Sequence, residues 1–153
     1  LVLNNYEINK NTIAIIPINA EKTKVYEKNK NFYVFKNSIK IIKDSCNFFG
    51  SSYDGRVDGT KSMININSKV PIIIEELNEI IFFPTSSPRL LTCCWISYNN
   101  VIKYIDLDGK TLIFFNDGTS LEIPISANIF DNQMTRALKL HMAIMERKKK
   151  LLA

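Results

Sequence analysis

Apolar residues recur at two different spacings along this chain, and the change of spacing divides it. Up to residue 126 they come in short runs broken by Asn, Asp, Gly, Ser and Pro. Residues 23–27 and 32–35 carry Val25, Tyr26, Tyr33 and Val34, which suit a pleated, half-buried surface, with turn chemistry at 28–31. That pattern predicts a hairpin. YEI and TIAII within residues 6–17, joined by Asn9-Lys10-Asn11, predict another. Residues 38–43, apolar at Ile39, Ile41 and Ile42, read as a strand, with a short helix as the alternative. Residues 62–67 alternate Met63, Asn65 and Asn67 with Ile64 and Ile66, a period of two that predicts a strand ended by Pro71.

The runs at 72–74 and 80–83 are continuously apolar, the mark of strands buried on both faces, and an acidic turn at 75–79 joins them. PTSSP, residues 84–88, is a rigid loop. Residues 90–97 are apolar on both faces around Trp95 and predict a central strand with Trp95 in the core. Strands at 101–105, 112–115 and 121–125 follow as a meander. Its turns are residues 106–110 and Asn116-Asp117-Gly118, and Pro124 places the last strand near an edge.

Beyond this point the spacing becomes helical. Phe130, Met134, Ala137, Leu138, His141, Ile144 and Met145 share one face; Arg136, Lys139, Ala143, Arg147 and Lys150 share the other. With Asn128 as N-cap and Asp131 supporting the positive helix end, a helix is expected over 129–147, fraying at Lys148. The fold class is therefore β-rich α+β: antiparallel hairpins and a meander forming a curved sheet or small barrel, with a C-terminal amphipathic helix. One domain over 1–153 is expected, mainly β over 1–126, with a basic tail at 147–153.

One stretch fits neither spacing. Residues 45–60, SCNFFGSSYDGRVDGT, combine Cys46, Phe48 and Phe49 with three glycines and the donors Ser51, Ser52, Tyr53 and Arg56. The plain structural reading is a tight loop between strands, its glycines taking positive φ. The functional reading is a loop that lies against an anionic backbone and presents Arg56 from its tip, suited to a narrow minor groove.

Charge sharpens the second reading. Net charge is +5. Residues 1–69 hold 11 basic and 6 acidic side chains, residues 70–130 hold 3 and 7, and residues 131–153 hold 6 and 2. Basic ends around an acidic middle point to a polyanion-facing surface. Asn47 and Lys43 precede the central donors, Lys61 and Lys69 follow, and the helix adds its basic face. Lysines fix phosphates, while arginine and asparagine can read base edges.

Other chemistries find little support. The longest apolar runs are far below the ~20 residues that cross a bilayer, and the first residues lack a basic region followed by a long apolar stretch, so a cytoplasmic protein is expected. Cys46, Cys93 and Cys94 form neither a disulfide framework nor zinc-ligand spacing. His141, the one histidine, sits inside the helix's apolar stripe and reads as a packing residue. A Cys46–His141 nucleophile pair rests on residue types alone. Glu75, Glu76 and Glu79 read as a solvated turn rather than a cation site. No catalytic residue, metal or cofactor is assigned.

Taken in order, several segments resemble the bacterial competence transcription factors, the ComK family. They are YEIN and TIAIIP near the start, SCNFFGSSYDGR with DGT, INSKVPI, IIFFPTSSPR, CWIS, NDGTSLEIPIS and NIFDNQMTR. The resemblance implies a DNA-binding activator of late competence genes for DNA uptake. It would bind paired A/T-rich boxes of double-stranded DNA through the minor groove, as dimers assembled into a tetramer, near the nucleoid and without a cofactor. It also points to RNA polymerase and a proteolytic adaptor as partners. The DNA-binding residues expected are Asn47, Ser51, Ser52, Tyr53, Arg56, Lys61, Lys69, Arg136, Lys139, Arg147 and Lys150. The chain departs from the family pattern at Asn47 and Val57, where basic residues are frequent, and at Asp54 and Asp58, where small ones are. A shortened or diverged paralogue that modulates a full-length activator by protein contact is the alternative reading.

Overall fold

The continuous apolar runs exist because one sheet is covered on both faces. The computed structural model describes residues 2–153. Seven strands, β1 (Val2–Leu3), β2 (Thr12–Asn19), β3 (Lys22–Glu27), β4 (Lys30–Val34), β5 (Ile72–Glu75), β6 (Ile80–Pro84) and β7 (Trp95–Ser97), pair in the order β1-β4-β3-β2-β7-β6-β5. All pairs are antiparallel except β1 with β4. Successive side chains alternate between two cores. Ile72, Ile74, Phe82 and Trp95 face one; Ile73, Ile81, Phe83 and Ile96 face the other.

Two helices, α1 (Ser38–Phe48) and α2 (Tyr53–Ile64), belong to the first core, which takes Ile41, Ile42 and Cys46 from α1. The second core lies under a three-stranded antiparallel meander, β8 (Val101–Asp106), β9 (Thr111–Phe115) and β10 (Ser120–Ile123), and under α3 (Ala127–Leu152). Ile113, Phe115 and Ile123 from the meander meet Phe130, Ala137, Leu140 and Ile144 from α3 there. The fold is thus β-rich α+β with a C-terminal helix, as expected, and among the described residues it is built from two sheets and no closed barrel. No helix among the described residues is long and apolar enough to cross a membrane.

Several local expectations are corrected. Residues 38–43 are the start of α1, not a strand. Asn37 caps it, its Oδ1 accepting from Lys40 N at 2.9 Å. The buried positions Ser38, Ile41, Ile42, Ser45 and Cys46 have helical spacing once the window is long enough. Residues 62–67 finish α2 and leave it through Asn65 in the left-handed region. Residues 6–8 form no hairpin with β2. Tyr6 and Ile8 are buried, Tyr6 Oη bonding Glu27 and Thr12, and Ile8 N donating to Ser45 Oγ at 3.0 Å. The strand around Trp95 is short: Leu90 and Leu91 are exposed, while Trp95 is fully buried between β2 and β6.

α3 is longer than its apolar stripe implied. Ser126, not Asn128, caps it by accepting from Ile129 N at 3.2 Å, and Asp131 instead accepts from Tyr104 Oη. Its inward face is Phe130, Gln133, Ala137, Leu140 and Ile144; Leu138 and Met145 are exposed. The helix does not fray at Lys148, because that ammonium finds Glu79 at 3.5 Å and the Glu76 carbonyl at 3.1 Å.

Candidate nucleic-acid interface

The stretch 45–60 is a helix end, a tight turn and a second helix rather than a loop. Gly50, at φ +83°, reverses the chain after Phe49, a conformation other residues adopt only with strain. Ser51 N then donates to Cys46 O at 3.0 Å. Ser52 caps α2 by accepting from Gly55 N at 3.0 Å. Gly55 is helical, and its place is explained by this cap: a Cβ there would stand 2.9 Å from Ser52 Oγ. Asp54, in the first turn, complements the positive end of the helix.

Arg56 does not sit at a loop tip. It lies in the first turns of α2, its side chain 17% exposed, and turns back on the protein. Its Nε donates to Ser51 Oγ at 3.2 Å and its Nη1 to Glu76 Oε1 at 2.7 Å. That hydrogen bond, with the guanidinium charge, holds the Glu76 carboxyl below its ordinary range. The acidic turn between β5 and β6 is accordingly a set of clamps: Glu75 takes Asn78 N and Nδ2, Glu76 takes Arg56, and Glu79 faces His141 and Lys148.

Apart from Arg56, the sequence-predicted residues separate into four places, three around α1 and α2 and one on α3. Asn47 is exposed at the end of α1. Ser51 and Ser52 are occupied in the turn and the cap. Tyr53, Lys61 and Lys69 line one open groove of about 290 Å³. The Tyr53 ring meets Trp95 edge-on with centroids 6.3 Å apart, and Lys43 Nζ stands 5.7 Å from its centroid. Burial pushes the Tyr53 phenol up to about 12, so it remains a hydrogen-bond donor at neutral pH. Arg89, which sequence reasoning passed over, closes the groove from the opposite side. Its signal was present as the cation directly after the rigid PTSSP loop.

The basic face of α3 is distinct from this groove. Arg136 Nη1 donates to Ser68 O at 3.0 Å and Gln133 Oε1 at 3.1 Å, tying the helix to residues 68–69. Arg147 Nη1 donates to Ala143 O at 3.3 Å, and Lys150 reaches Glu146 at 4.0 Å. Lys139 is exposed. Cys46 and His141 do not meet: Cys46 belongs to the core under α1, while His141 is on α3, near Tyr98 and Glu79. Burial raises all three thiols, those of Cys46 and Cys94 to about 11, which leaves them protonated and unreactive at neutral pH.

The sequence also matches known proteins. The model of the family described as ComK protein matches residues 3–149. The chain is similar to a competence transcription factor of Bacillus subtilis (strain 168), with 39% identity over 150 residues, covering 95% of this chain and 78% of that protein. No solved structure matches it.

Proposed function

The chain belongs to the ComK protein family, and on that premise we propose that it is a DNA-binding transcription factor that activates competence genes. The observation that carries this reading is the 39% identity to a competence transcription factor along nearly the whole chain. The surface supports it: Lys61 and Lys69 share a groove with Tyr53, and Lys139 and Arg147 are exposed on α3.

In this reading one domain binds A/T-rich boxes through the minor groove. Asn47, Ser51, Ser52, Tyr53, Lys61 and Lys69 supply the contacts around α2; Arg136, Lys139, Arg147 and Lys150 supply phosphate contacts or steering from α3. Arg56, with its guanidinium held by Ser51 and Glu76, positions the α1–α2 turn rather than reading bases. The protein works without a cofactor and is not an enzyme. It acts as a dimer or tetramer in the cytoplasm and contacts RNA polymerase and a proteolytic adaptor.

The test is binding of the chain to a labelled duplex carrying A/T-rich boxes, and to a G/C-rich duplex of equal length, at two salt concentrations. The reading expects preference for the A/T boxes and a steep loss of affinity as salt rises and counterions compete again. Absence of binding to either duplex overturns it. A chain that binds no DNA but associates with a full-length activator fits the paralogue reading instead.

A further inference from the structure

We infer that the groove between α2 and residues 87–89 seats the phosphates of one strand of duplex DNA, with Arg89 as a contact of equal rank to Lys61 and Lys69. The inference rests on the DNA-binding reading and names the surface that carries it.

Three separate segments converge on this groove. Tyr53 and Lys61 come from α2, Lys69 from the loop before β5, and Arg89 from the loop after β6. None of the residues lining it is acidic. The hollow that adjoins it across Pro88 and Arg89 is likewise free of carboxylates, whereas those beside Phe49 and under Leu151 include Glu76 and the one beside Phe48 includes Glu7 and Asp44. Among the described residues, the side chains of Lys61, Lys69 and Arg89 take part in no hydrogen bond or ion pair, in a protein where Arg56, Arg136 and Lys148 are all engaged.

The fold also holds these cations in place. Lys69 has φ +49°, an unusual backbone for a residue with a Cβ. It is kept there from beneath: Gln133 Nε2 donates to Lys69 O at 2.9 Å, and Arg136 to Ser68 O at 3.0 Å. Pro88 fixes φ immediately before Arg89, and Leu90 N closes a turn onto Ser87 O at 3.0 Å. Strain maintained by the buried Gln133 amide, beside cations left without a carboxylate, is the pattern of a preorganised anion seat. Tyr53, packed edge-on against Trp95, completes the lining of the groove. A phosphodiester backbone supplies the repeated single negative charges that three separated cations require.

Binding of an A/T-rich duplex DNA to the full chain, followed by fluorescence anisotropy over about 50 to 200 mM salt, tests this. The variants are R89Q, K61Q/K69Q/R89Q, R89K, and K10Q/K30Q/K110Q, which removes the same charge from exposed lysines elsewhere. The groove triple variant is expected to lose about tenfold or more in affinity and to flatten the log–log salt slope by about 2.7, near 0.9 per phosphate contact. R89Q flattens it by about 0.9, and R89K restores the slope. The triple variant of K10, K30 and K110 retains the parent's slope. Unchanged thermal unfolding of each variant confirms that the fold is intact. If the parent binds and the groove variant binds like it, or if both triple variants lose equally, the seat is refuted while the DNA-binding reading stands. If the parent binds no duplex, both fall. Equal groove dependence with duplex RNA would refute the assignment to DNA.

Discussion

The two ends of α2 carry cations in opposite states. Near its start Arg56 is largely buried and bound to Ser51 and Glu76; in its last turn Lys61 is exposed, among groups that leave it free. The acidic middle of the sequence explains the difference. Its carboxylates at 75–79 fold against the start of α2 and the end of α3, where they consume Arg56 and Lys148. They do not reach the groove. Net charge along the chain therefore does not say where an anion can bind; pairing in three dimensions does.

The largest effect tests the floor that the groove stands on. Trp95 is fully buried and supports Tyr53, so W95A should destabilise by ~3–5 kcal/mol in a denaturant titration. An unchanged midpoint would detach Tyr53 from the core. Next is R56A, which strips Ser51 and Glu76 of their partner and should cost about 1–2 kcal/mol. If it leaves stability unchanged but abolishes binding to A/T boxes, Arg56 is a reader and the contrast between the two ends of α2 collapses.

G55A forces a Cβ onto Ser52 Oγ and should lose about 0.5–2 kcal/mol with the cap. Measured helicity and stability should fall together. The pair at the start of α2 also predicts a pH dependence. The Glu76 carboxyl is depressed in the fold, so its stabilising contribution is present above its unfolded value of about 4.3 and disappears as pH falls through the lower folded value. The stability gap between the parent and E76Q should therefore narrow as pH falls below the unfolded value and close once pH passes the lower folded one. The smallest effect belongs to the other end of the helix: K61Q should change stability by less than about 0.5 kcal/mol, its consequence appearing only in binding.

Much of the architecture could be read from residue patterns because strands and long amphipathic helices advertise burial locally. The continuous runs at 72–74 and 80–83 announced a sheet covered twice, and Asn116-Asp117-Gly118 announced its hairpin. The helical stripe announced α3, although Lys148, read as its limit, continues it by finding Glu79. α2 announced nothing. Only Thr60 is buried along it, two glycines lower its propensity, and it is held by a cap, an ion pair and contacts at both ends.

The candidate interface divides in the same way. Donor-rich composition around residues 45–69 and the basic ends were properties of the sequence, as was the order of segments that marks the family. Which cations are free was decided by the fold, since an ion pair joins residues that sequence separation keeps apart. Arg56 and Glu76 are twenty positions apart and neutralise each other. Arg89 stands twenty-eight positions beyond Lys61 and yet lines the same groove. Pairing depends on distance and burial, and both arise only when the strands between them close into a sheet.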